Sequence, residues 1–538
     1  MKSERLTYIK NILLPCLILS SIAGIFTGVL IFLFKLASSA VIELSSAIYA
    51  AVRENPLYLP LLILGTALIG FTVALILKRA PDCRGGGIPT AVASLRGLIP
   101  FKWIQSIFAL FASAMLTYLC AVPLGNEGPS VQMGTAVGRG TVRLFSKSNR
   151  ALDRYIMTGG ASAGFAAATG APITGIVFAF EEAHRRFSPM IFMVAAVSVI
   201  SGMSTQHILC RLFDINAALF SLEIKTILPI GSLWIAAIIG IICGFCAVLF
   251  TKSYRAINIF IKHTLSKLPF SVKIILIFVA TALFGFSAEG FVGSGHSLIE
   301  QMLHGEGVWY LLIMYFCIRA VLLMLSNNAG ITGGLFVPTL AFGAIIGSLF
   351  GKAMIALGVL PEEYYIIMVI VGMASFLSSA SRTPITALTF SLEALSGIGN
   401  ILPTAIGVTL SYLVIETTGI SAFSDTVIEA KLESARAGRT PTIVDGHVRV
   451  MSASFAVGKE VRDILWPPTC VVLSVHKSNS SDAHHSHAIS EGDILHLHYQ
   501  TYDEQATALE IEAIVGKQKE DAGTKTHTGG ENHQVPDI

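Results

Sequence analysis

Glu127 is the one ionisable residue in "PLGNEGPSVQMG" (123–134), where it stands between Asn126 and Gly128, with Pro129 two positions on. Backbone so rich in glycine and proline is not the interior of an ordinary helix. Two more stretches share the layout, "GGGIP" (85–89) and "GLFVP" (334–338). In each, glycine precedes a proline, which is pre-organised for a first helical turn and gives up an N–H that lacks a helical acceptor anyway. Glycine lets backbone amides approach a ligand closely. Helix starts expose N–H groups at the positive end of the helix dipole, so three that converge make an anion site without a full cationic charge. Each stretch alone also fits a helix kink or close helix packing. Three in one chain, two of them at matching repeat positions, favour the anion site.

These motifs sit in a chain of 538 residues that is 53% hydrophobic and only 13% charged, with mean hydropathy +0.70. A soluble domain is about a quarter charged, so the composition is that of a polytopic membrane protein. The net charge of +3 shows no basic face suited to nucleic acid. The first apolar run, 11–36, is too long for a signal-peptide core and follows Lys2, Arg5 and Lys10, which predicts a retained first helix and a cytoplasmic N-terminus. Ten further apolar segments follow between 58 and 415, several too short or too rich in Gly and Pro for clean spans. Interrupted helices are tolerated at membrane depth only where protein buries them or they line a cavity. Eight cysteines are scattered through apolar segments; Cys243 and Cys246, the one C-x-x-C pair, read as core packing.

An internal repeat organises the segments. "PITGIVFAFE" (172–181) aligns with "PITALTFSLE" (384–393), and "GNEGPSVQMGTAVG" (125–138) with "GLFVPTLAFGAIIG" (334–347), at separations of 212 and 209 residues. Arg139, Arg143, Lys147, Arg150 and Arg154 follow the first Gly-Pro element, whereas its second copy is followed by Lys352, Glu362 and Glu363. By the positive-inside rule the two copies face opposite sides of the membrane, an inverted-topology repeat with its site near the midplane. The expected fold is therefore all-α, polytopic and built of broken helices over 1–435, in halves of about 1–215 and 216–435. A polar linker is expected over 436–454 and a small cytoplasmic α/β domain over 455–516, with strands "TCVVLSV" (469–475) and "DILHLHYQ" (493–500) and a helix over 503–516. Residues 517–538 read as a disordered tail. His484, His485 and His487 read as a solvated loop rather than a metal site, since no Cys or Asp/Glu spacing supports one.

In these motifs the chain resembles the CLC chloride channels and proton–chloride exchangers, whose signatures G-S-G-I-P, G-[KR]-E-G-P and G-x-F-x-P occur in this order. The resemblance covers about residues 10–435. It implies that Glu127 is the gating glutamate of the outer anion site, and that Gly86, Gly87, Ile88, Asn126, Gly128, Leu335 and Phe336 surround the anion. It implies that Glu182, in "FAFEEAHRR", is the internal proton-transfer glutamate. From the residues alone, Glu181 and Glu182 read rather as a helix end at the cytoplasmic interface, solvated beside His184, Arg185 and Arg186. The family's central serine is replaced here by Gly86, its tyrosine by Phe423, and the basic residue of its second signature by Asn126.

The tail resembles the C-terminal lobe of potassium-conductance regulator (TrkA-C type) domains, through "FAVGKEVRDILWPPTCVVLSVHKS" (455–478) and "ISEGDILHLHY" (489–499). Such domains dimerise and in some cases bind nucleotides. What the resemblances imply together is a non-enzymatic chloride/proton antiporter, homodimeric, in a prokaryotic inner (plasma) membrane with both termini cytoplasmic. Chloride or a related anion and protons are its substrates; no cofactor or metal is expected beyond a possible nucleotide on the tail. The alternatives are a passive anion channel and a ligand-regulated transport sensor.

Overall fold

The computed structural model describes residues 13–517 except 86, 100, 147–149, 216–218, 221–223, 225, 397, 437, 453 and 479–487. The expectations for Gly86, for Lys2, Arg5 and Lys10, for the His484, His485 and His487 cluster and for residues 518–538 lie outside the described residues.

Eight helices run in series: α1 (Leu14–Glu54), α2 (Leu59–Arg79), α3 (Ile88–Leu95), α4 (Trp103–Leu119), α5 (Glu127–Phe145), α6 (Asp153–Thr169), α7 (Pro172–Phe178) and α8 (Pro189–Leu212). A second series follows in the same order of long and short members: α9 (Leu233–His263), α10 (Phe270–Ser287), α11 (His296–Leu303), α12 (Trp309–Asn328), α13 (Phe336–Ala356), α14 (Tyr365–Ser381), α15 (Pro384–Phe390) and α16 (Ile401–Thr417). Helix α17 (Phe423–Arg436) ends the membrane part. Nine helical segments among the described residues are long and apolar enough to cross a membrane. Helices α3, α7, α11 and α15, at seven or eight residues, are not. Their flanking Gly and Pro residues cut what hydropathy alone reads as continuous segments, so the apolar run at 156–180 is two helices, α6 and α7.

Glycines set the crossings, and they do so twice. In the first half α5 meets α6 so closely that a Cβ on Gly134 would collide with the Gly160 carbonyl, and one on Gly138 with that of Ile156. In the second half α13 meets α14 the same way, Gly343 against the Gly372 carbonyl and Gly347 against that of Met368. Small residues let helix backbones touch where lipid supplies no hydrophobic drive for association.

The tail is a three-stranded antiparallel sheet of β1 (Thr442–Arg449), β2 (Val471–His476) and β3 (Ile494–Thr501), in the order β1-β3-β2, followed by α18 (Glu504–Val515). Asp503 caps α18 by accepting from the Ala506 N–H at 3.0 Å. Strand β1 corrects the expectation of a linker over 436–454. It pairs with β3 along its whole length, but only Val444 and Val448 among its side chains turn inward, with Gly446 between them. Leu495, Leu497 and Tyr499 of β3 join Phe455, Leu465 and Trp466 in one apolar cluster with Cys16, Leu19, Tyr155 and Ile191 of the membrane part. Tail and first repeat therefore share a core.

Candidate anion pathway

The three Gly-Pro stretches meet at one point. Gly125 and Gly334 exchange both backbone hydrogen bonds, at 2.8 and 2.7 Å, a two-residue antiparallel bridge joining the two halves. Three residues on, Gly128 is wedged between the other motifs: a Cβ there would lie 2.7 Å from the Gly334 Cα and 2.8 Å from the Gly87 Cα. Only a residue without a side chain fits. Around this junction Gly87 precedes α3, Asn126 precedes α5 and Leu335 precedes α13, with Ile88, Glu127 and Phe336 as the first helical residues. The first N–H groups of these helices have no acceptor within their own helix, apart from what side chains provide. One is already taken: Gly87 N–H donates to Oε1 of Gln132, 3.1 Å away, and the Gln132 amide donates in turn to the Asp82 carbonyl.

Glu127 folds back onto this junction. It is buried to 1% exposure, and neither carboxylate oxygen makes a hydrogen bond of ordinary geometry. The amides nearest it are its own and that of Val337, one from each half. The carboxylate passes where a side chain on Gly125 would be. Tyr118 secures the turn by donating to the Gly125 carbonyl at 3.0 Å. A buried anion without partners is costly, several kcal/mol in a dry site, and a cation lies within electrostatic reach: Lys35 of α1. Neither Lys35 nor Tyr118 stood out in the sequence. Lys35 is the one charge near the end of the first apolar run, a signal that was legible.

Beside the junction is a cavity of about 20 Å³, room for one water or a small ion. Gly87 and Ile88 line it at the start of α3, Leu335 and Phe336 at the start of α13 and Phe423 at the start of α17, together with Glu182. The structure thus gathers four of the expected backbone sites with Glu182 and Phe423, while Asn126, Glu127 and Gly128 lie at the junction outside this lining. Phe423 presents a ring, packed against Phe250 and Tyr254. Ser381, Thr383 and Ser424 are also in the lining, which sequence reading missed although Ser424 adjoins Phe423. Glu182 also borders a second cavity, of about 10 Å³, with Arg96, Arg185 and Asp425. Its backbone is held by Arg96, which donates to the carbonyls of Glu182 and Ala183 at 2.9 and 2.8 Å. Arg185 pairs with Asp425 at 2.8 Å.

A family model for the voltage gated chloride channel matches residues 65–416, which include all three Gly-Pro stretches, Glu127 and Glu182. The chain belongs to the voltage-gated chloride channel family. Solved structures agree in fold. A slow cyanobacterial Cl⁻/H⁺ antiporter is similar with TM-score 0.72 and 24% identity, over 79% of this chain and 99% of that one. A eukaryotic CLC transporter gives 0.63 and 19%, over 79% and 75%. A CLC-type fluoride/proton antiporter gives 0.62 and 20%, over 75% and 96%.

Within this voltage-gated chloride channel fold the two PIT elements exchange caps. Helix α7 ends in a π-helical turn, Ala179–Ala183, that aims Glu181 at the start of α15. There it accepts from the Ile385 and Thr386 N–H groups, at 2.8 and 2.6 Å, and from the Thr386 hydroxyl. Helix α15 ends in a matching turn, Ser391–Ser396, and Glu393 accepts from the Ile173 and Thr174 N–H groups, at 2.7 and 2.8 Å, and from the Thr174 hydroxyl. A carboxylate on two free N–H groups of a helix start is a charge-assisted cap. The solvated reading of "EE" is thus corrected for Glu181, which caps the opposite repeat. Glutamate at the same place in both PIT copies was the signal for it.

Proposed function

We propose that this protein carries anions across the membrane by exchange with protons, with chloride as the principal anion, Glu127 as the outer gate and Glu182 as the inner proton relay. The observation that carries the reading is the position of Glu127. Its carboxylate lies buried at the meeting of helix starts from both halves, against the amides of Glu127 itself and of Val337. A group so placed either occupies the anion's site or leaves it, and a proton decides which. Glu182 supports coupling because it borders both the cavity under the helix starts and the arginine-lined one beyond it, giving a proton a route separate from the gate. The chain acts here as a carrier rather than as an enzyme. Assembly as a homodimer with one pathway per protomer, residence in a prokaryotic plasma membrane with cytoplasmic termini, and a TrkA-C-type regulatory role for the tail belong to the same reading.

One observation favours a second reading, a passive anion channel: the ring of Phe423 faces the cavity where a hydroxyl would grip a central anion. Purified protein in liposomes under an outward chloride gradient separates the two. Exchange drives protons uphill and stops doing so in Glu127→Gln. Chloride flux with no uphill proton movement would leave the channel reading standing and remove the exchanger.

A further inference from the structure

We propose that the cleft between the membrane part and the tail is a second anion site, built for a phosphate-bearing molecule with an apolar or aromatic body. The cleft encloses about 680 Å³, within the range of about 300–1,000 Å³ that takes organic ligands and far larger than a halide needs. Five guanidinium groups line it: Arg139 and Arg143 from the end of α5, Arg154 from the start of α6, and Arg436 and Arg439 at and beyond the end of α17. Three carboxylates oppose them, and one of these, Asp153, is already paired with Arg143 at 2.8 Å. The other two, Asp503 and Glu510, come from the tail, and Glu510 is within electrostatic reach of Arg154 and Arg139, which leaves five cations against three anions.

The arginines differ in how they are held. Arg139 donates to the Phe101 carbonyl at 2.9 Å, and Arg154 to the carbonyls of Leu95 and Trp466, both at 2.8 Å. Carbonyls orient a guanidinium without neutralising it. No ion pair among the described residues holds Arg436 or Arg439; Arg436 lies over the Tyr502 ring, 4.8 Å from its centroid. The lining therefore keeps an excess of positive charge, and guanidinium forks match phosphate oxygens two at a time. Between the charges the wall is apolar, with Phe455 and Leu509 among its residues, and Tyr502 offers a face to a planar group. Soluble nucleotides and phosphatidate headgroups with their first methylenes share this chemistry.

An occupant acts on the pathway through Arg154. This guanidinium joins the last residue of α3, Leu95, to the tail segment at Leu465 and Trp466, and α3 begins at the junction beside Gly87. Phosphate drawing on Arg154, or a body wedging tail from membrane part, alters how the inner end of α3 is held. Transport is then tuned from the cytoplasmic side without touching Glu127 or Glu182.

The test uses the full chain in nanodiscs. ATP and inorganic pyrophosphate are titrated calorimetrically in phosphatidylcholine discs, and thermal stability is compared between phosphatidylcholine discs and discs containing phosphatidic acid. Saturable binding of ATP or pyrophosphate that weakens at least tenfold in Arg436→Glu/Arg439→Glu supports the site with a soluble ligand. Stabilisation by phosphatidic acid alone, lost in the same variant, supports it with a lipid headgroup. Arg439→Ala, which removes no hydrogen bond or ion pair seen among the described residues, keeps basal chloride flux and lowers the affinity for whichever probe binds. The proposal falls if neither probe acts on the protein, or if the variants respond as the unaltered chain does.

Discussion

The two halves build the same helix start from the same backbone and put different side chains on it. In the first half the residue after the cap is Glu127; 209 positions later it is Phe336. Glu127 stays buried over the junction against the amides of Glu127 itself and Val337, while the Phe336 ring packs between Phe165 and Phe390, with centroids 5.1 and 5.0 Å off. The next pair differs as sharply. Gly128 is pressed between two Cα atoms, and its counterpart Val337 fills the core at 2% exposure. Duplication thus supplies two helix ends at one junction, and their side chains differ: one holds a buried carboxylate there, the other packs an aromatic ring into the core.

Exchanging those side chains is the sharpest way to break the comparison. Gly128→Val sets a side chain against backbone on two sides, so we expect no monodisperse protein by size-exclusion chromatography, or transport at background in liposomes. Val337→Gly, its mirror, leaves a cavity and still folds, with a lower melting temperature. Glu127→Gln removes the one proton site at the junction and abolishes uphill proton movement while anion flux continues; retained coupling in this variant would take the gate away from Glu127. Phe336→Ala loses packing against two rings and costs about 3–5 kcal/mol, read as a fall in chemical-denaturation midpoint without loss of coupling.

The tail extends the asymmetry, because it rests on the first repeat. Tyr155 donates to the Asp463 carbonyl at 2.9 Å and accepts from the Leu465 N–H at 3.0 Å, and Arg186 donates to the Ile464 carbonyl at 2.8 Å. Nearby, Lys459 is buried, with Cys16 and Asp463 as the charged and titratable groups facing it, and burial pushes its ammonium down to about 6. An unfolded lysine titrates near 10.4. Between these values the folded tail holds a neutral amine where the unfolded one is protonated, so its stability rises with pH from about 6 upward and is lowest below 6. The slope is at most about 1.4 kcal/mol per pH unit. Hydrogen exchange across residues 463–468, corrected for intrinsic rate, is expected to slow between pH 6.5 and 8.5, and Lys459→Met flattens that change. The smallest effects belong to the exchanged caps. Glu181→Gln and Glu393→Gln each weaken two N–H bonds to a charge, about 1–2 kcal/mol, and lower the melting temperature equally; unequal losses would show that the halves are not equivalent there.

The pathway was legible where chemistry is local. Glycine before proline announces a helix start, and the repeat spacing of 209 and 212 residues locates the partner. What stayed hidden depends on contacts distant in sequence. Glu181 looks solvated beside three basic residues until the start of α15 is seen against it. Ser424 is unremarkable until α17 begins at the cavity. Strand β1 was read as linker because one face is polar and Gly446 interrupts the apolar alternation on the other. Arg154 counts toward a cytoplasmic loop in the charge pattern, yet the fold spends it on three carbonyls between α3 and the tail.

The exchanged caps also bear on how the chain is made. Ile173 and Thr174 wait for an acceptor that lies 220 and 219 residues further along. At ribosomal speeds of about 5–20 residues per second, that is roughly 10–45 s of synthesis. Until then the start of α7 lacks the carboxylate that caps it in the finished fold, and Glu181 has no α15 to cap. Neither half is finished when its own last residue is joined. Each is completed by a carboxylate from the other.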